Sequence, residues 1–305
     1  MDDPAPDAGT AAAVDASASA ALPRRILVGV DERPESADAL ALADLLAGPA
    51  GAELLVASVR PFRSASLPPG DQARVLAEEE ARLRGEVAAQ LAGREFRTRV
   101  IAGGRPAAGL REIAAAEQAD LIVIASTHRG PVGRVLPGSV GERVLDGAPC
   151  AVAIAPRGYA ARDGVAAEGL RRIVVGCDGS RESLAALAIA GGLAAVAAAT
   201  VTLVGVAEMR FDLAGFPAPA DPAETARVER ALGRARALLP PGLTVESRQV
   251  HGVAADVIAA AARGADLLAI GSRGNYGRMR RLFLGSVAAR VASTASCPTL
   301  IVPAS

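Results

Sequence analysis

Residues 24–36 read Arg-Arg-Ile-Leu-Val-Gly-Val-Asp-Glu-Arg-Pro-Glu-Ser, and residues 171–183 read Arg-Arg-Ile-Val-Val-Gly-Cys-Asp-Gly-Ser-Arg-Glu-Ser. In both stretches a basic pair leads into a short apolar run, and an aspartate follows it. An apolar run without polar alternation suits a strand buried on both faces of a parallel sheet. The same 147-residue offset returns far downstream. There Gly138-Ser139-Val140 matches Gly285-Ser286-Val287, and Cys150 matches Cys297. A repeat of this length is a whole duplicated domain, not a solenoid unit.

Outward from these runs each copy alternates in the same way. Helices are predicted over residues 37–46 and 184–196, then second strands over 53–59 and 200–207. Charged amphipathic helices follow over 73–91 and 222–239, and third strands over 97–102 and 244–250. Fourth strands are predicted over 121–125 and 267–270, and last strands over 151–155 and 299–302. Strands alternating with helices imply right-handed crossovers and a doubly wound α/β sheet. The chain therefore divides into a disordered tail over 1–22, a first domain over 23–156, a linker over 157–169 and a second domain over 170–305. Extended, that linker spans at most about 40 Å. Proline-bearing excursions are expected over 61–70 and 209–222.

Composition narrows the function. The 305 residues carry 33 basic and 33 acidic side chains, so bulk charge gives no case for nucleic acid or an anionic membrane. Every basic residue is arginine; without lysine there is no Walker lysine and no Schiff base. Cys150, Cys177 and Cys297 lack Cys-x-x-Cys spacing and read as small buried residues in a reducing cytoplasm. His128 and His251 are too few to build a zinc site with them. The tail opens on Asp2 and Asp3 without a basic n-region and an apolar stretch, so it does not read as a secretory signal. No apolar run reaches the length of a membrane span.

In an open α/β sheet, ligands sit beyond the carboxyl ends of strands where the strand order reverses. Asp31 and Asp178 follow the first strands, and Gly271-Ser272-Arg273-Gly274 follows the fourth strand of the second copy. Glycine-rich turns let main-chain amides approach an anion. Gly285-Ser286 opens the next helix, whose free amides and positive dipole end favour phosphate. Bland readings stand beside these. Both aspartates could cap their following helices, and Gly-Ser could do no more than open one.

The Val-Gly-x-Asp start, the Ala-Asp-Leu fourth strand and the Gly-Ser-Val helix opening, each present twice, resemble the universal stress protein family as a tandem pair. The resemblance implies two open five-stranded parallel-sheet domains of the adenine nucleotide alpha hydrolase-like fold. It also implies binding of ATP, alone or with Mg²⁺, in a cytoplasmic stress-response sensor or regulatory module. Asp178 would then contact ribose, and Val204 or Gly205 would lie near adenine. Gly271, Gly274, Gly285, Ser286 and Val287 would hold phosphates. The first-domain counterparts are Asp31, Ala125, Gly138, Ser139 and Val140, with His128 where the pattern carries glycine. Domain offsets of 146 at Asp120/Asp266 and 147 at Ser139/Ser286 put one extra residue in the second loop, near Asn275-Tyr276. Because it keeps Gly271 and Gly274 where the first copy has Ala125 and His128, the second site is the better preserved. An interaction scaffold without nucleotide and a slow ATPase remain as alternatives. By the same resemblance the last strands lie at sheet edges, to be covered by pairing of the two domains or by a homodimer.

Overall fold

Arg25–Gly29 (β1) and Arg172–Gly176 (β6) form the parallel strands that their apolar runs predict, and Ile26, Leu27 and Val28 are entirely shielded from solvent. The computed structural model describes residues 22–60, 69–91, 93–127, 132–162, 169–208, 221–272 and 285–303. The predicted tail, apart from Leu22, and most of the two proline-bearing excursions lie outside these residues.

After β1 come α1 (Ser36–Ala50), β2 (Glu53–Arg60), α2 (Pro69–Ala88) and β3 (Phe96–Ala102). The first domain continues with α3 (Pro106–Ala116), β4 (Leu121–Ala125), α4 (Ser139–Leu145) and β5 (Ala151–Ala155). The second domain repeats the series after β6: α5 (Arg181–Ala197), β7 (Thr200–Glu208), α6 (Pro222–Ala237) and β8 (Val245–Gly252). It ends with α7 (Ala254–Ala261), β9 (Leu267–Gly271), α8 (Ser286–Thr294) and β10 (Thr299–Val302).

One ten-stranded sheet results, in the order β3-β2-β1-β4-β5-β10-β9-β6-β7-β8. Within each domain neighbouring strands run parallel, and the chain reverses its direction of growth between β1 and β4 and between β6 and β9. The two halves meet where β5 and β10 pair antiparallel, Ala153 opposite Leu300. Both strands are buried throughout, so the pairing hides the edges that each domain would otherwise expose. Strand alternation sends successive side chains to opposite faces. Val28, Val56 and Leu203 join the core that includes Leu40, Leu83, Leu187 and Val228 from α1, α2, α5 and α6. Leu27, Ala57 and Val204 join the other, with Leu110, Val144, Ile258 and Val291 from α3, α4, α7 and α8.

The repeated Ala-Asp-Leu motif has a structural task. Asp120 accepts from the amides of Arg24 and Arg25, and Asp266 from those of Arg171 and Arg172, each at 2.8–2.9 Å. These clamps fasten the start of each domain's first strand to the strand beside it. Past β5, Asp38 of α1 accepts from the amides of Gly158 and Ala160 at 2.8 Å. The beginning of the expected linker is therefore held against the first domain, and Tyr159 is buried there. Farther along, the Val135 amide donates to Ala295 O, binding the loop before α4 to the residue after α8.

Candidate functional site

A cavity of about 300 Å³ opens in the second domain over the strand-order reversal between β6 and β9. Gly176, Cys177 and Asp178 form its floor at the end of β6, and Val204 and Val206 of β7 form one wall. Ile258 and Ala254 of α7 face them across an apolar slot, with Ile270 beside it. The far end is polar and consists of Gly271, Ser272, Gly285, Ser286 and Val287. Gly176 keeps the floor open to close packing: an added Cβ would stand 3.1 Å from Ile270 and 3.2 Å from Ile258.

The Asp178 loop is preorganised. Gly179 takes φ +81°, a left-handed conformation that side chains rarely adopt. Asp178 Oδ1 then accepts from the Ser180 amide at 2.9 Å and the Ser180 hydroxyl at 2.6 Å. Ser180 in turn caps α5, accepting from the Ser183 amide at 3.2 Å. The capping alternative for Asp178 is thereby corrected: the serine two residues on is the cap, and the aspartate orients it. Arg227 of α6 donates to the Asp178 main-chain oxygen at 2.9 Å and is itself held by Glu224 through two contacts of 2.7 and 2.9 Å.

At the polar end Gly285 is the N-cap of α8, extended at φ −62° and ψ 153°, and has no side chain to satisfy the first-turn amides. Its own amide donates to Ser272 O at 2.8 Å, which ties the helix opening to the end of β9. The first-turn N–H groups at Ser286, Val287 and Ala288 have no intrahelical acceptor, and the helix dipole adds partial positive charge beside them. Such an end favours an anionic group. Gly271 is required by close approach: an added Cβ would stand 2.8 Å from the Ser183 nitrogen and 2.7 Å from Glu182 Cβ.

Burial, and then the neighbouring Asp178 charge, push the Cys177 thiol up to about 12. Cys297 is raised to about 12 chiefly by burial, and Cys150 by burial with Asp120 second. All three therefore stay protonated near neutrality and act as packing groups. Among the described residues no group of three or more His, Cys, Asp or Glu side chains is arranged to hold a metal ion.

The first domain assembles its counterparts differently. Gly138 again caps a helix opening, at Ser139 and Val140, but an added Cβ there would stand 3.0 Å from Thr127 Cβ. Val59 packs against Gly109 of α3, where an added Cβ would meet it at 2.8 Å and Ile101 at 2.7 Å. That contact takes up the slot which Val206 leaves open toward α7 in the second domain. Asp31 accepts from the Arg33 amide and the Ser36 hydroxyl and is 3.6 Å from the Arg33 guanidinium. It does not cap α1, whose N-cap is Glu35. Asp31 lines a separate polar pocket whose walls include none of Ala125, Gly138, Ser139 or Val140.

Of the sequence-derived residues, Asp178, Val204, Gly271, Gly285, Ser286 and Val287 line the one cavity. Gly205 does not: its Cα faces α6, with an added Cβ 2.6 Å from Val228. Strand parity accounts for this, since Val204 and Val206 share one face and Gly205 the other. Gly274, Asn275, Tyr276 and His128 lie outside the described residues. Ser272, Val206, Ile258 and Arg227 line the cavity without having been singled out. Parity from Val204 reaches Val206, and adjacency to Gly271 reaches Ser272. Ile258 and Arg227 come from helices distant in sequence, so no local signal marks them.

The model of the Universal stress protein family matches the chain twice, over residues 23–156 and 169–303. A universal stress protein structure from Archaeoglobus fulgidus DSM 4304 aligns with TM-score 0.67 and 21% identity, covering 91% of this chain and 97% of that one. A putative universal stress protein structure from Pseudomonas aeruginosa UCBPP-PA14 aligns with TM-score 0.63 and 21% identity, covering 95% of each. At these identities the two likenesses speak to the fold alone. No curated protein matches the chain.

Proposed function

Because the chain belongs to the universal stress protein family, with two of its domains in tandem, we propose that its second domain binds an adenine nucleotide, ATP foremost, and that the protein acts as a nucleotide-responsive regulatory module in a cytoplasmic stress response. The single observation that carries this reading is the convergence of Asp178, Val204 and the Gly285-Ser286 helix opening on one cavity of about 300 Å³. The apolar slot between β7 and α7 suits a planar base, and the Asp178 carboxylate suits ribose hydroxyls. The first-turn amides of α8 suit phosphate. Cavities of this size, mostly apolar with a few convergent polar groups, are the usual form of small-molecule sites.

ATP supplies the charge that the α8 opening favours, and Asp178, Gly271, Ser272 and Ser286 would hold it. Mg²⁺ is commonly bound through one or two carboxylates together with phosphate oxygens. The Asp178 carboxylate and the Ser286 hydroxyl are the groups that would serve it here. Binding would order the phosphate end and shift the population of a partner-facing surface. In the first domain, Val59 packed on Gly109 supports the scaffold reading for that half. The β5–β10 pairing supports a module closed within one chain, and no helix among the described residues is long and apolar enough to cross a membrane.

Titration calorimetry of the full chain with ATP tests the proposal. One site per chain is expected, lost on Gly285→Val and weakened on Asp178→Ala. Absence of binding, or binding that survives both substitutions, overturns it. Phosphate release that depends on the same two residues would instead favour the slow ATPase.

A further inference from the structure

On the opposite face of the sheet from the cavity, the first domain carries a pocket of about 470 Å³ beneath α2. Ser58 and Arg60 of β2 line it, with Glu32 and Arg33 of the loop after β1 and with Glu79 and Arg82 of α2. The matching strand registers place Gly205 and Ala207 of β7 where β2 has Ser58 and Arg60. Gly179 likewise stands where the first domain has Glu32. In the second domain these small residues let α6 lie directly on the strand. An added Cβ on Gly205 would stand 2.6 Å from Val228 and 3.0 Å from Leu232, and one on Gly179 would stand 3.2 Å from Ala231. The first domain replaces that apolar contact with polar side chains around open space. Its α2 stays anchored farther along by Leu83 and Val87, both buried.

The polar groups of this pocket specify what it can take. The Arg60 side chain is only 12% exposed and is paired with Glu32, while Glu79 and Glu86 lie at 3.8 and 4.0 Å. Arg60 Nε is buried and has no hydrogen-bond partner among the described residues. Its 3.8 Å separation from Glu79 Oε2 exceeds hydrogen-bonding distance. A hydroxyl oxygen beside that gap satisfies both sides, accepting from Nε–H and donating to the carboxylate. An oxyanion cannot donate, and an ammonium cannot accept.

Charge points the same way. Arg33 pairs with Asp31 at 3.6 Å, and Arg82 with Glu86 at 2.8 Å. A charged ligand would have to break such pairs, whereas hydroxyl groups bridge them. Ser58 supplies one more hydroxyl on the floor, and Val75 of α2 supplies an apolar patch for a C–H face. We propose that this first-domain pocket binds a small neutral polyhydroxylated molecule, a polyol or monosaccharide. The site is independent of any nucleotide in the second domain.

Titration calorimetry of the full chain with D-glucose and with myo-inositol tests this, using inorganic phosphate and glycine as charged probes and repeating each run in the presence of ATP. At least one of the two polyols is expected to bind whether or not ATP is present. Arg60→Ala should weaken that binding by roughly tenfold or more, the worth of one hydrogen bond to a charged group, and Ser58→Val by about threefold to tenfold, the worth of a neutral one. Ser58→Val leaves every ion pair of the network in place, so a folded variant is available if Arg60→Ala is not. The proposal is overturned if neither polyol binds, if phosphate or glycine binds in their stead, if ATP displaces the polyol, or if the Ser58→Val protein binds it like wild type.

Discussion

After its first strand the second domain runs Asp178-Gly179-Ser180, and the first runs Asp31-Glu32-Arg33. Gly179 adopts a left-handed turn that lets Ser180 cap α5 and fixes Asp178 in the floor of the cavity. Glu32 is turned instead toward Arg60, and α1 starts at Ser36 without a side-chain cap. The consequence spreads across the sheet. One domain packs α6 tightly and keeps its slot under α7 open, while the other holds polar space under α2 and packs Val59 against α3. Duplicated backbones can therefore carry different sites, because whether space is left depends on a few side chains at each strand tip and not on topology.

The sharpest way to break this comparison is at the fourth strands. Gly271→Val should destabilise the protein by about 3 kcal/mol, since its Cβ would press on the main chain of α5. Ala125→Gly, the reverse exchange in the first domain, should cost only about 0.5–1 kcal/mol. Urea denaturation of both variants compares them, and near-equal losses would mean that the close approach at Gly271 is not real.

Next in size is the ligand response. ATP at about 100 times its dissociation constant should stabilise the wild type by ~2.7 kcal/mol. Asp178→Ala should remove about 2 kcal/mol of that gain, whereas Asp31→Ala should leave it intact. Thermal melts with and without ATP would decide, and equal sensitivity to both substitutions would abolish the assignment of the site to one domain.

The cap is a smaller lever. Ser180→Ala should cost ~1 kcal/mol, and Arg33→Ala at the equivalent position within about 0.5 kcal/mol of nothing. At the far ends of the same helices, Gly51 (φ +60°) and Ala198 (φ +53°) occupy matching left-handed positions. Ala198→Gly should stabilise by about 0.5–1 kcal/mol and Gly51→Ala should destabilise by a similar amount. A gain from Gly51→Ala would contradict the geometry.

The last effect concerns protons and shows only at alkaline pH. Folding raises the Cys177 and Cys297 thiols from 9.0 to about 12. Because the folded form holds these protons more tightly, their contribution is complete below pH 9 and disappears as pH rises toward 12. The first domain has Val30 in place of Cys177. Urea midpoints should thus stay level up to about pH 9 and then fall, less steeply in Cys177→Ala. Midpoints that decline already at neutral pH would show an exposed thiol.

Much of the site was legible because its parts are local. Asp178, Gly271 and Gly285-Ser286 each sit at the end of a strand or the start of a helix, and a short window of sequence identifies such places. Gly205 was misplaced by proximity to Val204, although side-chain alternation along β7 turns it toward α6. Arg227 and Ile258 arrive from α6 and α7 through packing, which leaves no local mark. The first-domain pocket was hidden for the same reason. Its residues come from three separated segments, and each charge, taken singly, reads as an ordinary solvated side chain.

The amino-acid sequence alone determined that one unit occurs twice, that it alternates strands with helices, and that its strands are buried on both faces. Periodicity and burial are properties of short segments, so they can be read in order along the chain. Tertiary structure decided that β5 pairs with β10 of the same chain, where the two apolar edges cover each other. It also decided which domain keeps open space under which helix. Those outcomes depend on distances between segments far apart in the chain, where a difference of one methyl group at Gly205 or Gly109 decides whether a helix rests on the sheet or stands away from it.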